Sequence, residues 1–301
     1  MGISKAAKSV LERASFPLVP RTFTFLNDIR IQARKKIKSS VESVINNSSV
    51  IITQEIISGV SCTCINPEIF LTKTKILYGF GGGFVSGSAY EDLTIAVPIS
   101  EKLGATIIIP NYKLSPEFPW PNALNEAFDV YSSICEKPFM MLGESAGGNL
   151  ILALAQKAQY EGLLMPRAIA LISPWVDLSN IGDSLDFNDG LDPMLSKQHL
   201  DFAAKTYAPA DKFSDPFVSP IHGTFTSDFP PTFISTGEKD LLRSQSERLN
   251  EILIESNANV ELKIWGGMWH VFEWFPELPE SNESLNLISA FMKKCDCDDQ
   301  K

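Results

Sequence analysis

The stretch 137–150, KPFMMLGESAGGNL, constrains this chain more than any other. An apolar run ends at Leu142, the small and polar GESAGG follows, and 149–154, NLILAL, has helix-forming composition. That order predicts a buried strand, a tight turn and a helix, with Ser145 at the tip of the turn. A residue held there adopts a strained backbone conformation, and its side chain then projects from the sheet edge. Gly143 and Gly147 lack Cβ atoms, so neighbouring backbone can pass close to the turn. In this setting G-x-S-x-G is the pattern of a nucleophile elbow, which presents a serine hydroxyl for attack. Small residues also gather in strand-to-helix turns that carry no chemistry. The pentapeptide therefore gains meaning only from the rest of the chain.

Around it, strands and helices alternate. Helical periodicity covers 4–14 and 24–44, interrupted at Pro17 and Pro20. Strands are predicted over 50–57 and 60–65, joined by the hairpin signal Ser58-Gly59, and over 75–79. The segment 105–110, ATIIIP, reads as a strand buried on both faces. A helix over 122–135, the elbow strand, its helix as far as Gly162 and a strand over 168–173 follow. Residues 178–226 break the alternation, being rich in Asp, Ser and Pro with one helix expected over 196–207. It resumes with a strand over 231–235, a helix over 244–256, a strand over 260–265 and a helix over 281–294. An opening hairpin followed by alternating strands and helices implies a mostly parallel, doubly wound α/β sheet. The expected division is 1–45 as N-terminal helices, 46–177 with 227–301 as the core, and 178–226 as an insertion.

Composition excludes several classes. With 301 residues, 44% of them hydrophobic, the chain suits one large core with an appended piece. The net charge of −10 argues against nucleic acid as a partner. Residues 1–40 nevertheless carry nine Lys and Arg against Glu12 and Asp28, which we read as the solvated face of a helix on an acidic body. No apolar run approaches the roughly 18 residues that span a bilayer. Lys5, Lys8, Glu12 and Arg13 interrupt any signal-like segment, and Ala6 stands where a myristoylation site needs Ser or Thr. The expectation is a cytoplasmic protein without stable membrane insertion. The five cysteines include the C-x-C pairs Cys62/Cys64 and Cys295/Cys297, and neither spacing fits a zinc or redox motif. Structural thiols are expected, with no metal and no cofactor, and the second pair falls in an acidic tail read as mobile.

A serine nucleophile needs a base, an acid that orients the base, and donors for an oxyanion. Of the three histidines, His199 lies in the inserted helix and His222 in a Pro/Gly loop, where surface or packing roles are the plain reading. His270 follows the last strand, at the carboxyl edge where sites of open α/β sheets lie. Asp240 follows the penultimate strand in TGEKD and is preferred as the acid over Glu238 and Asp177; it would also suit the start of a helix. The chain order Ser145, Asp240, His270 is the one this kind of site uses. Gly81-Gly82-Gly83 follows the strand at 75–79 and lets backbone N–H groups approach a substrate oxygen, joined by the N–H of Ala146 at a helix start. Read as a phosphate loop the same run fails, since no Lys-Ser/Thr follows it.

Taken together, YGFGGGFVSGS (78–88), NYKLSPEFPWPNAL (111–124), GESAGGN (143–149), GEKDLLR and GGMWHVF resemble, in order, the motifs of the hormone-sensitive-lipase-like family (family IV) of α/β-hydrolase carboxylesterases. The resemblance spans roughly 70–292. It implies an α/β-hydrolase fold and serine ester hydrolysis by Ser145, Asp240 and His270, with Gly82, Gly83 and Ala146 donating to the oxyanion. It also implies that the N-terminal helices and the insertion form a helical cap over the acyl pocket. The chain departs from the family at Phe80, Asn111 and Phe118, where His, Asp and His are usual, and we take these three losses to be linked. The family's plant gibberellin-receptor branch binds without hydrolysis but has lost the catalytic histidine, whereas His270 is present here. Phe80, Phe84, Trp175, Met194, Met268, Trp269 and Phe272 are candidates for an apolar pocket wall. That wall suggests small-molecule uncharged esters or lactones of short to medium acyl length as substrates. An amidase or acyltransferase with the same triad, and a non-catalytic binder, are the alternatives; a homodimer is compatible with the sequence.

Overall fold

The computed structural model describes residues 2–13 and 23–297, so the break expected at Pro17 and Pro20 lies outside them. Two helices, α1 (Lys5–Arg13) and α2 (Phe23–Asn46), precede the first strand. Eight strands then form one sheet: β1 (Val50–Ile57), β2 (Val60–Pro67), β3 (Lys75–Gly79), β4 (Ile107–Pro110), β5 (Phe139–Glu144), β6 (Ile169–Ile172), β7 (Thr232–Gly237) and β8 (Val260–Trp265). Their order is β1-β2-β4-β3-β5-β6-β7-β8. β1 and β2 pair antiparallel, as does β2 with β4, and every later pairing is parallel. The hairpin turn has both Ser58 (φ 49°) and Gly59 (φ 82°) in the left-handed region, the turn that matches the twist of its two strands.

Burial follows position in the sheet. All four residues of β4, all six of β5 and all four of β6 are buried, because helices cover both faces. The edge strand β1 is half-exposed, with Ile51 and Ile56 in solvent. The covering helices are α3 (Leu93–Leu103), α4 (Asn122–Ile134), α5 (Ala146–Glu161), α8 (Arg243–Glu255) and α9 (Pro279–Cys297). α3 occupies a stretch where periodicity assigns nothing. Pro98 lies inside it and eight of its eleven residues are buried, so neither a polar face nor an unbroken helical pattern announces it. Gly104, at φ 59°, ends it in a left-handed cap.

The insertion between β6 and β7 holds α6 (Ser184–Phe187), α7 (Lys197–Tyr207) and two single 3₁₀ turns. α7 starts where Ser196 predicts it, the serine hydroxyl accepting from the N–H of His199. The basic face of α2 is partly tied down. Arg30 donates to the carbonyls of Val85 and Ser115 and pairs with Glu117 at 2.6 Å, and Arg34 lies over the ring of Tyr90. One expectation fails at the far end. Cys295 and Cys297 lie in the last turns of α9, anchored by Asp296, which accepts from Thr74 and pairs with Arg167 at 3.0 Å. A polar composition reads as a free tail until its partners 129 and 222 residues away are known. Among the described residues, no helix is long and apolar enough to cross a membrane.

Candidate active site

Ser145 joins β5 to α5 at φ 52°, ψ −122°, a conformation that a non-glycine residue takes only when its surroundings enforce it. They do so through hydrogen bonds. The Ser145 N–H donates to the Ile172 carbonyl at 2.9 Å, and its own carbonyl accepts from Trp175 and Asn149. Packing explains the glycines. A Cβ on Gly143 would meet the Gly147 carbonyl oxygen at 2.5 Å, and one on Gly147 would run into the carbonyl of Gly79. The turn thus closes against the end of β3, beside the glycine loop.

His270 comes from the loop after β8 and Asp240 from the loop after β7. His270 Nε2 lies 3.0 Å from Ser145 Oγ, and His270 Nδ1 lies 3.0 Å from Asp240 Oδ1. A buried carboxylate only accepts, so Nδ1 carries the proton and Nε2 is free to accept from the serine hydroxyl. Asp240 is held by the Leu242 N–H at 2.8 Å and the Thr236 hydroxyl at 2.9 Å. Burial pushes the Asp240 carboxyl up, but the charge and hydrogen bond of His270, with those of Ser173 and Leu242, bring it below its ordinary value. Burial pushes His270 down, and Asp240 and Asp192 more than reverse this, leaving it raised. The rival acids are engaged elsewhere: Glu238 accepts from the Gly267 N–H, and Asp177 pairs with Arg248 at 2.9 Å.

The glycine loop adjoins the serine from the β3 side. Gly82 (φ 99°), Gly83 (φ 64°) and Phe84 (φ 59°) lie consecutively in the left-handed region, and the Gly82 carbonyl accepts from Val85 and Ser86. Three such residues turn the chain sharply back, which at the first two positions only glycine does at little cost. Ala146 N–H stands at the start of α5, where the helix favours negative charge.

Three groups of residues bear on the sequence reading. First, the expected pocket wall is mostly core. Phe80, Phe84, Trp175, Met268, Trp269 and Phe272 are 0–2% exposed, and of the seven only Met194 keeps accessible surface. Phe84 stacks on Tyr207 at 3.8 Å, and Met268, Trp269 and Phe272 cluster with Ala7 of α1. Aromatic residues near a site look alike in sequence whether they face it or support it. Second, Phe80, Asn111 and Phe118 have different partners among the described residues. Phe80 stacks on Tyr112 at 4.0 Å, Asn111 bonds Thr63, Gln54 and Ser61, and Phe118 is exposed beneath Lys113. Third, His199 is half-buried, which answers to packing rather than surface: α7 carries it close enough to His270 for that residue's charge to act on it. His222 is exposed.

Buried acids behind the site were missed. Asp192, from the insertion, is 0% exposed and accepts four backbone N–H groups. Its Oδ2 takes those of Leu241 (3.1 Å) and His270 (3.3 Å), its Oδ1 those of Met194 (2.8 Å) and Leu195 (3.3 Å). It therefore ties the insertion to the two loops that carry Asp240 and His270. Burial and the charge of Asp240 raise its carboxyl to about 7. Beneath the elbow, Glu144 lies against Gly81 and Asp92. Burial and Asp92 raise it well above the ordinary range. Asp92 accepts from Tyr78 and Trp274, Glu273 accepts from Ser235 and Ser284, and burial raises both acids to about 7. In sequence, Asp192 is one more acid in an Asp-rich loop, and only its zero exposure singles it out.

Known proteins place the chain. Residues 76–274 match the sequence profile of a family described as having the alpha/beta hydrolase fold. An esterase of Acinetobacter venetianus is 32% identical over 235 residues, covering 75% of this chain and 77% of that one. An acetyl-hydrolase of Streptomyces hygroscopicus is 28% identical over 224 residues, covering 72% and 75%. The crystal structure of an esterase from the bacterial hormone-sensitive lipase family superposes with a TM-score of 0.87 at 25% identity, covering 98% and 99% of the two chains. Ordered motifs, sheet topology and these relatives agree, and the chain belongs to the hormone-sensitive-lipase-like branch of the α/β-hydrolase family.

Proposed function

We propose that this chain is a serine carboxylesterase that cleaves uncharged esters or lactones of short to medium acyl length through an acyl-enzyme. The observation that carries the reading is the continuous line Ser145 Oγ, His270 Nε2, His270 Nδ1, Asp240 Oδ1, with 3.0 Å at each hydrogen bond, built on a strained turn. The names of the esterase and acetyl-hydrolase relatives support it.

In the proposed reaction the Ser145 hydroxyl attacks the ester carbonyl as His270 Nε2 takes its proton. Asp240 keeps the imidazole in the tautomer that can accept, and stabilises the imidazolium formed. The N–H groups of Gly82, Gly83 and Ala146 receive the oxyanion, each donor worth about 3 kcal/mol in sites of this kind. His270 then protonates the departing alcohol, and water, activated by the same imidazole, releases the acid. The N-terminal helices and the 178–226 insertion act as the cap, with Asp192 joining the insertion to the triad loops.

The test is hydrolysis of p-nitrophenyl esters over a range of acyl lengths by the wild type and Ser145→Ala. The variant should lose about 10³-fold or more in kcat, the scale seen when a triad member is removed. Equal rates for the two proteins would sink the reading. Transfer of the acyl group to an added alcohol or amine at the expense of hydrolysis would recast the protein as an acyltransferase.

A further inference from the structure

His199 is a group near the glycine loop that the triad does not use. One turn beyond it on α7 stands Ala203, whose Cβ comes within 3.0 Å of where a Cβ on Gly83 would be. Residues four apart share a helix face, so His199 lies on the face of α7 turned towards the glycine loop. His270 is near enough for its charge to act on His199. The Nδ1 atom of His199 is enclosed and has no hydrogen-bond partner, whereas Nε2 is not shut off in this way and the residue keeps partial exposure.

These facts fix what the ring offers. Burial and the charge of His270 lower its basicity, so it is neutral near pH 7 and carries one proton. An orphaned buried N–H is rarer than an orphaned acceptor, so the enclosed Nδ1 is bare and the proton sits on the accessible Nε2. The folded protein thus presents an unused N–H donor beside the glycine loop.

We propose that His199 is a specificity-determining residue, its Nε2–H donating to a second oxygen on the substrate, a keto, ether or hydroxyl oxygen a few bonds from the scissile carbonyl. Oxygenated esters are then favoured over plain alkyl esters of the same size. The proposal rests on the esterase reading above and narrows it.

The experiment compares kcat/KM for matched pairs in the wild type, His199→Leu and His199→Gln. Ethyl 3-oxobutyrate against ethyl butyrate places the extra oxygen on the acyl side; 2-methoxyethyl butyrate against butyl butyrate places it on the alcohol side. Intrinsic reactivity differences cancel when each pair's ratio is compared across proteins. A neutral hydrogen bond of about 1 kcal/mol corresponds to a ratio about fivefold higher in the wild type than in His199→Leu. His199→Gln, which keeps an N–H donor, should recover part of it. The pair that responds identifies which side of the ester His199 reads. Ratios unchanged by His199→Leu in both pairs overturn the proposal, and so does a response in His199→Gln as large as in His199→Leu. Wild-type and Ser145→Ala proteins equally inert towards ethyl butyrate would instead remove the esterase reading itself.

Discussion

Replacing Asp192 with asparagine removes one acceptor, and the negative charge carried above about pH 7, from a buried point that holds four backbone N–H groups. If the amide oxygen keeps Met194 and Leu195, the new NH₂ faces the N–H groups of Leu241 and His270, and both donors are orphaned. At about 1–3 kcal/mol each, the loss of stability is about 2–6 kcal/mol, a large part of the 5–15 kcal/mol that folded domains possess. The two loops thus released carry Asp240 and His270, and misplacement of about 1 Å is enough to cost about 10²-fold in rate. Asp192→Asn should therefore lower kcat by about 10- to 100-fold, with little change in KM. Charge gives a second, independent signature. His270 faces Asp240 from the loop after β7, Asp192 from the insertion, Glu273 from its own loop and His199 from α7. Asp192 is one of the charges that raise His270, so its removal shifts the acid limb of the kcat/KM profile to lower pH. The assay is a pH profile of p-nitrophenyl ester hydrolysis by both proteins, with urea melts alongside. A variant that is only less stable, with kcat and the limb unmoved, would refute the argument that Asp192 acts through the triad.

Other outcomes follow from the same geometry. In the wild type, kcat/KM should rise with pH around a midpoint above the ordinary histidine value of about 6.5, because His270 is raised; a flat profile between about pH 5 and 8 would remove His270 as the base. Stability should run the other way. Asp92, Asp192 and Glu273 have folded values of about 7, above their unfolded ones, so their contribution is complete below about pH 4 and is lost as pH rises through 7. His270, also raised, adds to the same trend, and the lowered Asp240 acts only in more acid solution. Thermal melts should accordingly give a higher midpoint near pH 5.5 than near pH 8.5. Gly147→Ala forces a Cβ into the backbone of Gly79 and Phe80 and should cost about 3 kcal/mol or more, whereas Gly162→Ala has open space, and only its left-handed φ makes it costly, by about 1 kcal/mol; chemical denaturation measures both. A thiol reagent should label exposed Cys297 in the native protein and reach Cys62 and Cys64 only on unfolding, since burial encloses both and raises them to about 11 and 12.

The order of elements was legible in the chain because periodicity and turn residues are local. β3 and β8 fall on their predicted bounds, and Ser58-Gly59, Ser196 and Gly162 end or start elements as their chemistry requires. α3 was not legible, because a buried helix with an internal proline carries no amphipathic pattern. The candidate triad was read from three short motifs, each placed at a strand's carboxyl end by the sheet that follows from alternation.

What the sequence determined by itself is therefore the catalytic candidate set, Ser145, Asp240 and His270, together with the glycine loop. Each follows a strand, and the succession of strands and helices along the chain is written in local periodicity. What only the tertiary structure decided is the surroundings of that set. Asp192 and His199 lie in an insertion rich in Asp, Ser and Pro, and nothing local says which of its polar residues is enclosed. Of the apolar residues near the site, six are enclosed and Met194 is half-buried, a division that no local pattern announces. Burial depends on contacts between residues far apart in the chain, such as Asp192 with His270 across 78 positions. A side chain's role near a site is fixed by which face meets that distant partner, and the chain folds before that is known.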